Sequence, residues 1–362
     1  MRKFSIWAVA PLACLLFTQC RGIRPLSKPV ATLTSEGFIT CFEPGLAEGK
    51  TWCEASAIVA QGDRIYLAND KDMPAPRSSV FFIRNQNPTG PGLATAKPTY
   101  LEHPLLRTAH KFEEFAQTPN RKWTFLTTAF DRIKPGSADF DGYNMLLAWQ
   151  PGQEGNVQVV GAGTGATASL DFRKAVQTVL GGSPYFKIEG LAATDTHLWF
   201  GVREQGESYE KFDYRITILK APYSAKVGNY GAEQITLGTP ELVRNFDVGD
   251  VDSALPKPLA VSSLEYDARR RCFWLMTSFE QPDKIGAYLW IISERAMQRN
   301  GELKLVRTRD GKPLTFAHKA EDMTFVDANT LLVIHDDDRV RTRVGSKERQ
   351  PNQTAYSVLT VN

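Results

Sequence analysis

Residues 186–192 read FKIEGLA, and after a short polar turn the chain continues as LWFGV over 198–202, followed by Arg203 and Glu204. The first segment alternates as a half-buried strand does, whereas the second is more continuously apolar. Two such segments joined by a turn indicate a β-hairpin. This hairpin carries a polar residue, Glu189, in its first strand and charge at the end of its second strand.

The same pattern occurs in four other places along the chain. Each copy has a short alternating strand with a polar residue at its start, a turn rich in Asp, Asn, Gly or Pro, and an apolar strand that ends in charge. The polar residues are Ser56, Glu113, Glu189, Ser262 and Glu321, spaced by roughly 57 to 76 residues. A hairpin repeated at this period is typical of a propeller. We therefore predict an all-β, five-bladed β-propeller with one inserted helix and a central metal-binding channel.

Composition fits one large domain. The chain has 362 residues, of which 42% are hydrophobic, and its formal net charge is +3. This hydrophobic content is enough for a large core, and propellers exceed the usual length of a single domain. Because Lys and Arg are interspersed with Asp and Glu, nothing favours a nucleic-acid partner. We expect a monomer.

The first residues are typical of a secretory leader. A basic start precedes an apolar stretch at 4–17 that is too short to span a membrane. Cys20 would be lipidated if it ended a bacterial lipobox, which Gln19 fits poorly, and otherwise it belongs to the leader. We expect an exported protein that is periplasmic, anchored to the outer membrane through a lipid on Cys20, or secreted. The predicted parts are a signal peptide at 1–20, a tether at 21–36 and the propeller at 37–362.

The two ends of the predicted propeller are expected to meet. Segments 37–42 and 355–361 both resemble strands, and pairing them in one blade would leave no open sheet edge. Cys41 and Cys53 could form a disulfide in an oxidising compartment. Cys272 lies in an apolar strand and is predicted to be a core residue.

One helix is predicted at 168–180, capped by Ser169 and stopped by the glycines at 181–182. The glycine-rich segment 161–165 before it lacks the Gly-Lys-Ser/Thr ending of a phosphate loop. Nucleotide binding at that loop is therefore not expected.

In a propeller the first strand of each blade lines the central channel, so the five repeated polar residues would face one axis. Three carboxylates crowded together cannot all ionise without a cation. A hard divalent ion accepts several oxygen ligands from Glu, Ser, backbone carbonyls and water. We therefore predict calcium, bound by Ser56, Glu113, Glu189, Ser262 and Glu321. Zinc is disfavoured because the His and Cys residues show no ligand spacing.

Other charged residues are predicted to lie beside this ring. Lys111, Lys187 and Lys319 each stand two residues before a ring glutamate, on the same side of a strand. The second strands would carry Asp70, Asp72, Asp131, Arg203, Glu204, Glu280, His335 and Asp336 to the same face. The lysines would either bind a phosphate-bearing ligand or pair with the carboxylates at the strand ends.

The order Ser, Glu, Glu, Ser, Glu around five blades resembles that of the calcium-activated nucleotidases, the soluble apyrases. Residues 54–58 and 66–70 are similar to the first hairpin of that family, and residues 262–266 to its paired-serine segment. The hairpins with acidic ends, such as 319–323 with 335–338, are also similar to bacterial phytase-like propellers. The aromatic and Arg-rich segment that follows the fourth hairpin strand in apyrases is LMTSFE at 275–280 here, which departs from the family.

The resemblance implies calcium acting as a Lewis acid on a phosphoryl oxygen, with Asp70 beside the attacking water and Arg203 or a lysine holding the developing charge. The candidate catalytic residues are thus Asp70, Arg203 and Glu204. The candidate substrate-binding residues are Lys111, Lys187, Lys319 and Asp336. The substrate would be an anionic small molecule, a phosphoanhydride or phosphoester.

Two other classes of function stay open. In one, the ion only stabilises the blades, and the propeller binds a protein or glycan at the cell envelope. In the other, the channel serves a metal-assisted esterase or lactonase. A Ser-His-Asp hydrolase is not expected, because the chain has no Gly-x-Ser-x-Gly elbow.

Overall fold

The computed structural model describes residues 29–44, 51–74, 77–84, 92–227, 231–248, 255–281 and 284–361. The predicted signal peptide, with Cys20 and the start of the tether, lies outside these ranges. Within them, no helix is long and apolar enough to cross a membrane.

Five antiparallel sheets form the blades of a propeller, as predicted. Blade 1 contains β2 (Ala55–Gln61), β3 (Arg64–Asn69), β4 (Val80–Arg84) and β5 (Thr99–Tyr100). Blade 2 contains β6 (Phe112–Gln117), β7 (Thr124–Thr128), β8 (Leu146–Trp149) and β9 (Gln158–Val160). Blade 3 contains β10 (Tyr185–Ala193), β11 (His197–Ser208), β12 (Lys211–Val227), β13 (Glu233–Leu237) and β14 (Glu241–Asn245). Blade 4 contains β15 (Ala260–Asp267), β16 (Cys272–Gln281), β17 (Lys284–Ser293), β18 (Lys304–Leu305) and β19 (Thr315–Phe316).

Blade 5 joins the two ends of the described chain. It contains β20 (Ala320–Phe325), β21 (Thr330–His335), β24 (Gln353–Val361) and β1 (Ala31–Thr40), and β24 lies between β21 and β1. The predicted pairing of the terminal segments is confirmed. The tether boundary at 36 is wrong, because β1 begins at Ala31 and pairs with β24 back to Val361. Few apolar residues mark this part of β1, since Ala31 is its one buried residue and the others are partly buried or exposed.

The remaining elements are small. A two-stranded ribbon of β22 (Arg343–Val344) and β23 (Lys347–Glu348) precedes β24. The helices are α1 (Gly92–Thr95), α2 (Pro104–Thr108), α3 (Ala168–Val179) and α4 (Glu294–Gln298), with a 3-10 turn at Asp141–Tyr143. Helix α3 confirms the predicted helix.

Ser169 does not cap α3, contrary to prediction. Thr167 occupies the N-cap position and makes no capping hydrogen bond with its side chain. The Ser169 hydroxyl instead donates to the carbonyl of Val160 at 2.7 Å and accepts from the amide of Leu146 at 3.0 Å. It therefore attaches the start of α3 to blade 2.

Each pair of neighbouring blades encloses its own apolar core. Five clusters of buried side chains lie between blades 1 and 2, 2 and 3, 3 and 4, 4 and 5, and 5 and 1. Cys272 is fully buried in the cluster between blades 4 and 5, as predicted. These clusters occupy the space between the sheets, so the polar residues of the inner strands lie around the central axis instead.

Cys41 and Cys53 form a disulfide that links the last strand of blade 5 to the segment before blade 1, with 6.0 Å between their Cα atoms. Cys41→Ala with Cys53→Ala is expected to lower the free energy of unfolding by about 3 kcal/mol, because the bridge restricts the unfolded chain. Urea denaturation under oxidising conditions measures the loss. The wild type, measured after reduction of the bridge, should show a similar loss.

Candidate functional site

The first strands of the five blades, β2, β6, β10, β15 and β20, contact one another in a closed circle. Each has a β-bulge, at which the pairing with the second strand skips one residue. The skipped residues are Ser56, Glu113, Glu189, Ser262 and Glu321. A bulged residue is left out of the ladder, and its side chain is re-aimed. The five predicted residues thus occupy equivalent bulges around the axis, and we call them the upper ring.

The three glutamates of the upper ring come together as predicted. One carboxylate oxygen from each of Glu113, Glu189 and Glu321 lies within 4.8 Å of the other two, and all three residues are buried. The serines behave differently from each other. Ser56 donates its hydroxyl to the carbonyl of Phe112 in the next blade, whereas the hydroxyl of Ser262 is buried without a hydrogen-bond partner among the described residues.

Cationic side chains lie directly against these carboxylates. The Lys187 ammonium contacts Glu189 and lies 3.3 Å from Oε1 of Glu113. Lys319 lies 2.9 Å from Glu321. Arg203 Nη1 lies 3.2 Å from Oε2 of Glu189. These three positive groups balance the three ring carboxylates if all are ionised.

The third lysine is placed differently. Lys111 forms a 2.5 Å hydrogen bond with Asp131 at the end of β7 and does not contact an upper-ring glutamate. Of the two roles predicted for the lysines, Lys111 therefore has the second, since it pairs with a carboxylate at the end of a strand. Lys319 contacts a carboxylate of each kind, Glu321 in the upper ring and Glu280 at the end of β16, the latter at 3.4 Å.

The ring glutamates differ in protonation. Burial raises the pKa of Glu113 to about 8 and that of Glu321 to about 7, against the opposing influence of Lys187 and Lys319 respectively. Burial acts in the same direction on Glu189, but Arg203 and then Lys187 outweigh it and lower its pKa to about 2. Glu189 is therefore the permanent anion of the group.

The upper ring offers oxygen atoms that suit a hard cation. Oε1 of Glu113, Oε2 of Glu189 and the hydroxyl of Ser262 are buried and make no hydrogen bond to another described residue. The nearby Lys187 and Arg203 reach the first two at ion-pair distance but without hydrogen-bond geometry. A separation of at most 4.8 Å between carboxylate oxygens is about twice a calcium–oxygen distance of about 2.4 Å. The residues present therefore fit calcium.

Arg203 and Glu204 lie at the predicted face. Arg203 is 2% exposed, and Nη1 donates to Oγ of Ser278 at 2.8 Å while Nη2 lies 3.3 Å from Glu280, so it joins blade 3 to blade 4. Glu204 accepts a hydrogen bond from the hydroxyl of Tyr185. Ser278 and Tyr185 were not predicted as partners of these residues.

Asp70 and Asp336 belong to a second acidic group where blades 1 and 5 meet. Asp336 lies with Glu54 and Asp338 in a set whose oxygens are within 4.8 Å of one another. Lys71 compensates part of this charge, at 2.6 Å from Asp70 and 2.7 Å from Glu54. Burial raises the pKa of Asp336 well above its ordinary range, against the attraction of Lys319.

The two remaining residues of the predicted face lie away from the upper-ring glutamates. Asp72 pairs with His110 at 2.7 Å and is exposed. His335 is buried between strands, where it contacts Ser357 at 2.8 Å.

A second ring lies one residue further along each inner strand and was not predicted. It consists of Ala57, Glu114, Gly190, Ser263 and Asp322, and we call it the lower ring. Gly190 packs so closely that a Cβ atom there would lie 2.9 Å from Cα of Gly201. A side chain at this position would separate the strands of blade 3 and crowd blade 4.

The two lower-ring carboxylates accept hydrogen bonds from other blades. Glu114 accepts from the amides of Leu191 at 2.6 Å and Leu264 at 2.7 Å and from the Ser263 hydroxyl at 2.8 Å. Asp322 accepts from the amides of Ile58 at 2.6 Å and Phe115 at 3.3 Å.

Together these two carboxylates contact all five blades. Burial raises the pKa of both, and their mutual repulsion adds to the effect at Glu114. The sequence signal was the pair of consecutive polar residues at 113–114, 262–263 and 321–322, which breaks strand alternation.

No protein-family model matches the chain, and no curated protein does. Among solved structures, the catalytic domain of a Coprinopsis cinerea GH62 alpha-L-arabinofuranosidase is 9% identical, covers 92% of this chain and 96% of its own, and has a TM-score of 0.45. A GH62 hydrolase in complex with xylotriose is 11% identical over 92% of this chain and 97% of its own, with a TM-score of 0.46. A PQQ-bound aldose sugar dehydrogenase from Streptomyces coelicolor is 8% identical over 91% and 100%, with a TM-score of 0.39. At these values the likenesses carry no argument about activity.

Proposed function

We propose that this protein is a calcium-dependent hydrolase of phosphoester or phosphoanhydride substrates. The observation that supports it most is the mixed character of the upper ring, where buried carboxylate oxygens without a hydrogen bond suit a cation and adjacent Lys187, Lys319 and Arg203 suit an anion. A doubly charged phosphate bound with calcium would offset the charge of the ion and would pair with the same cationic side chains, which favours a substrate of this class.

Glu113, Glu189 and Glu321 would hold the ion, with Ser262 as a further oxygen donor. Bound there, calcium would supply Lewis-acid polarisation of a phosphoryl oxygen. Ser56 is less suited as a ligand, because its hydroxyl already donates to a neighbouring carbonyl.

Other residues of the chain would position the substrate. Ser278, Glu189 and Glu280 fix the Arg203 guanidinium, so little ordering is needed before it binds a phosphoryl oxygen. Lys319, 12% exposed at its side chain, would attract the anion from solvent. One carboxylate oxygen of Asp70 is buried and has no hydrogen-bond partner among the described residues, so it would accept a hydrogen bond from the attacking water.

Phosphate release from ATP and from inositol hexakisphosphate tests the proposal. We expect turnover in millimolar calcium and a loss of about a hundredfold or more after chelation, because transition-state charge would lose its main stabilisation. Glu189→Gln should show the same loss in calcium. Glu207→Gln, on the exposed extension of β11, is the matched control and should keep full turnover. Equal turnover with and without chelator would contradict the proposal.

A second candidate is a propeller without catalytic activity that binds a protein or glycan at the cell envelope. The position of Lys187 across Glu113 and Glu189 favours it, because the ammonium already neutralises the oxygens that an ion would need. Absence of turnover in both conditions, with a melting temperature that still falls on chelation, would support a purely structural ion. Under either candidate function, we propose that the protein is exported and monomeric.

A further inference from the structure

The end of blade 3 opposite the upper ring carries a hairpin that leans over blade 2. Residues 223–227, the last part of β12, pair with β13 and extend past the rest of the sheet. Several contacts attach this hairpin to blade 2. The amide of Leu237 donates to the carbonyl of Gly161 at 2.8 Å, and Gln158 in β9 contacts β13.

A cavity of about 730 Å³ lies between this hairpin and blade 2. Its size is within the range of about 300–1,000 Å³ that small-molecule sites occupy. Amide side chains dominate its polar lining, and an indole forms part of the wall: Trp123, Gln150, Gln153, Asn156, Gln158 and Gln234.

The lining carries little net charge. Glu233 is the one ionisable side chain among the described lining residues, and its carboxylate is paired with Lys122 at 2.8 Å and with the amide of Gln150 at 2.9 Å. A ligand in this cavity therefore meets hydrogen-bond donors and acceptors rather than a free ion. This disfavours the anionic ligands proposed for the upper ring and favours a neutral polar molecule.

The exposed edge of β13 is already closed to an added peptide strand. The side-chain amide of Gln158 accepts from the amide of Ile235 at 2.9 Å and donates to the carbonyl of Glu233 at 3.1 Å. The next amide on that edge, Leu237, is also paired. Because strand addition needs these backbone groups, recognition here must use side chains.

We propose that this cavity binds a neutral carbohydrate. Primary amides offer donors and acceptors to adjacent hydroxyl groups, which is what a neutral sugar presents. Gln153 and Gln234 are the best placed for this, since Gln153 makes one weak contact at 3.4 Å and Gln234 makes no side-chain hydrogen bond to another described residue. The site is separate from the upper ring, so it does not depend on the proposed hydrolysis.

Isothermal titration of the full chain with maltotriose, cellotriose and chitotriose tests the proposal, with trigalacturonic acid as a charged probe. We expect at least one neutral trisaccharide to bind and the charged one to bind at least about tenfold more weakly, since the described residues that line the cavity include no free cation. Gln153→Ala with Gln234→Ala should weaken binding by about tenfold or more, because hydrogen bonds to the sugar are lost. Gln350→Ala is the control, because Gln350 is an exposed glutamine in the connection before β24.

A second measurement locates the ligand. The indole N–H resonance of Trp123, assigned with Trp123→Phe, should shift when the sugar is added and should not shift in the double variant. No binding by any neutral probe, equal binding of the charged probe, or unchanged affinity in the double variant would each overturn the proposal. Loss of binding in Gln350→Ala would do so as well.

Discussion

Asp322→Ala is expected to lower the free energy of unfolding by about 4 kcal/mol, which is near the upper end for a single substitution. Asp322 accepts hydrogen bonds from the backbone amides of Ile58 in blade 1 and Phe115 in blade 2. It also lies 3.2 Å from the hydroxyl of Ser263 in blade 4, which donates to Glu114 at 2.8 Å. Removal of the carboxylate would leave the two backbone amides buried without a partner. The circle of blades would lose one of the two residues that hold it at the axis.

Thermal and urea denaturation measure this loss, which corresponds to a fall in melting temperature of roughly 10 °C. Asp327→Ala is the matched control. Asp327 also belongs to blade 5 and accepts from two backbone amides, those of Asn329 and Thr330, but in an exposed turn where water replaces the carboxylate. If both variants lose the same free energy of unfolding, the lower-ring carboxylate stabilises the fold no more than a carboxylate in an exposed turn does.

The sequence predicted the propeller because its signal is periodic. A polar residue at the start of an otherwise apolar hairpin is conspicuous, and five of them at similar spacing imply one axis. The bulges could not be predicted in the same way. A bulge shifts the strand register by one residue, and a pattern of alternating residues does not show where that shift occurs. The consequence was that Glu113 was identified and Glu114 was not.

Local backbone also decided which lysine reaches the upper ring. Lys111 and Lys187 both stand two residues before a ring glutamate, but Lys111 has a φ of 57°. This left-handed conformation interrupts the alternation of side chains on which the prediction depended. Lys187 lies inside β10 rather than before it, and its ammonium contacts Glu189 and lies 3.3 Å from Glu113. Lys111 and Lys187 therefore stand at the same distance in sequence from a ring glutamate but have different partners, Asp131 for Lys111 and the ring glutamates for Lys187.

Lys187→Met is expected to make the fold depend on calcium. Without the ammonium, Glu113 and Glu189 lose the group that lies across them, and breaking such a buried pair costs about 3–5 kcal/mol. In the absence of calcium the variant should therefore melt well below the wild type. Because the competing positive charge is also gone, calcium should bind the variant more tightly than the wild type.

Melting temperature across a calcium series separates the two roles of Lys187, since a ligand of the native state stabilises it in proportion to RT ln(1 + [L]/Kd). The rise with calcium should be larger in Lys187→Met than in the wild type. Lys111→Met is the matched control, because its partner Asp131 lies outside the upper ring and its loss should leave the calcium response unchanged. A variant that is destabilised and gains nothing from calcium would mean that Lys187 is the permanent counter-ion of the ring, and the metal would have no place there.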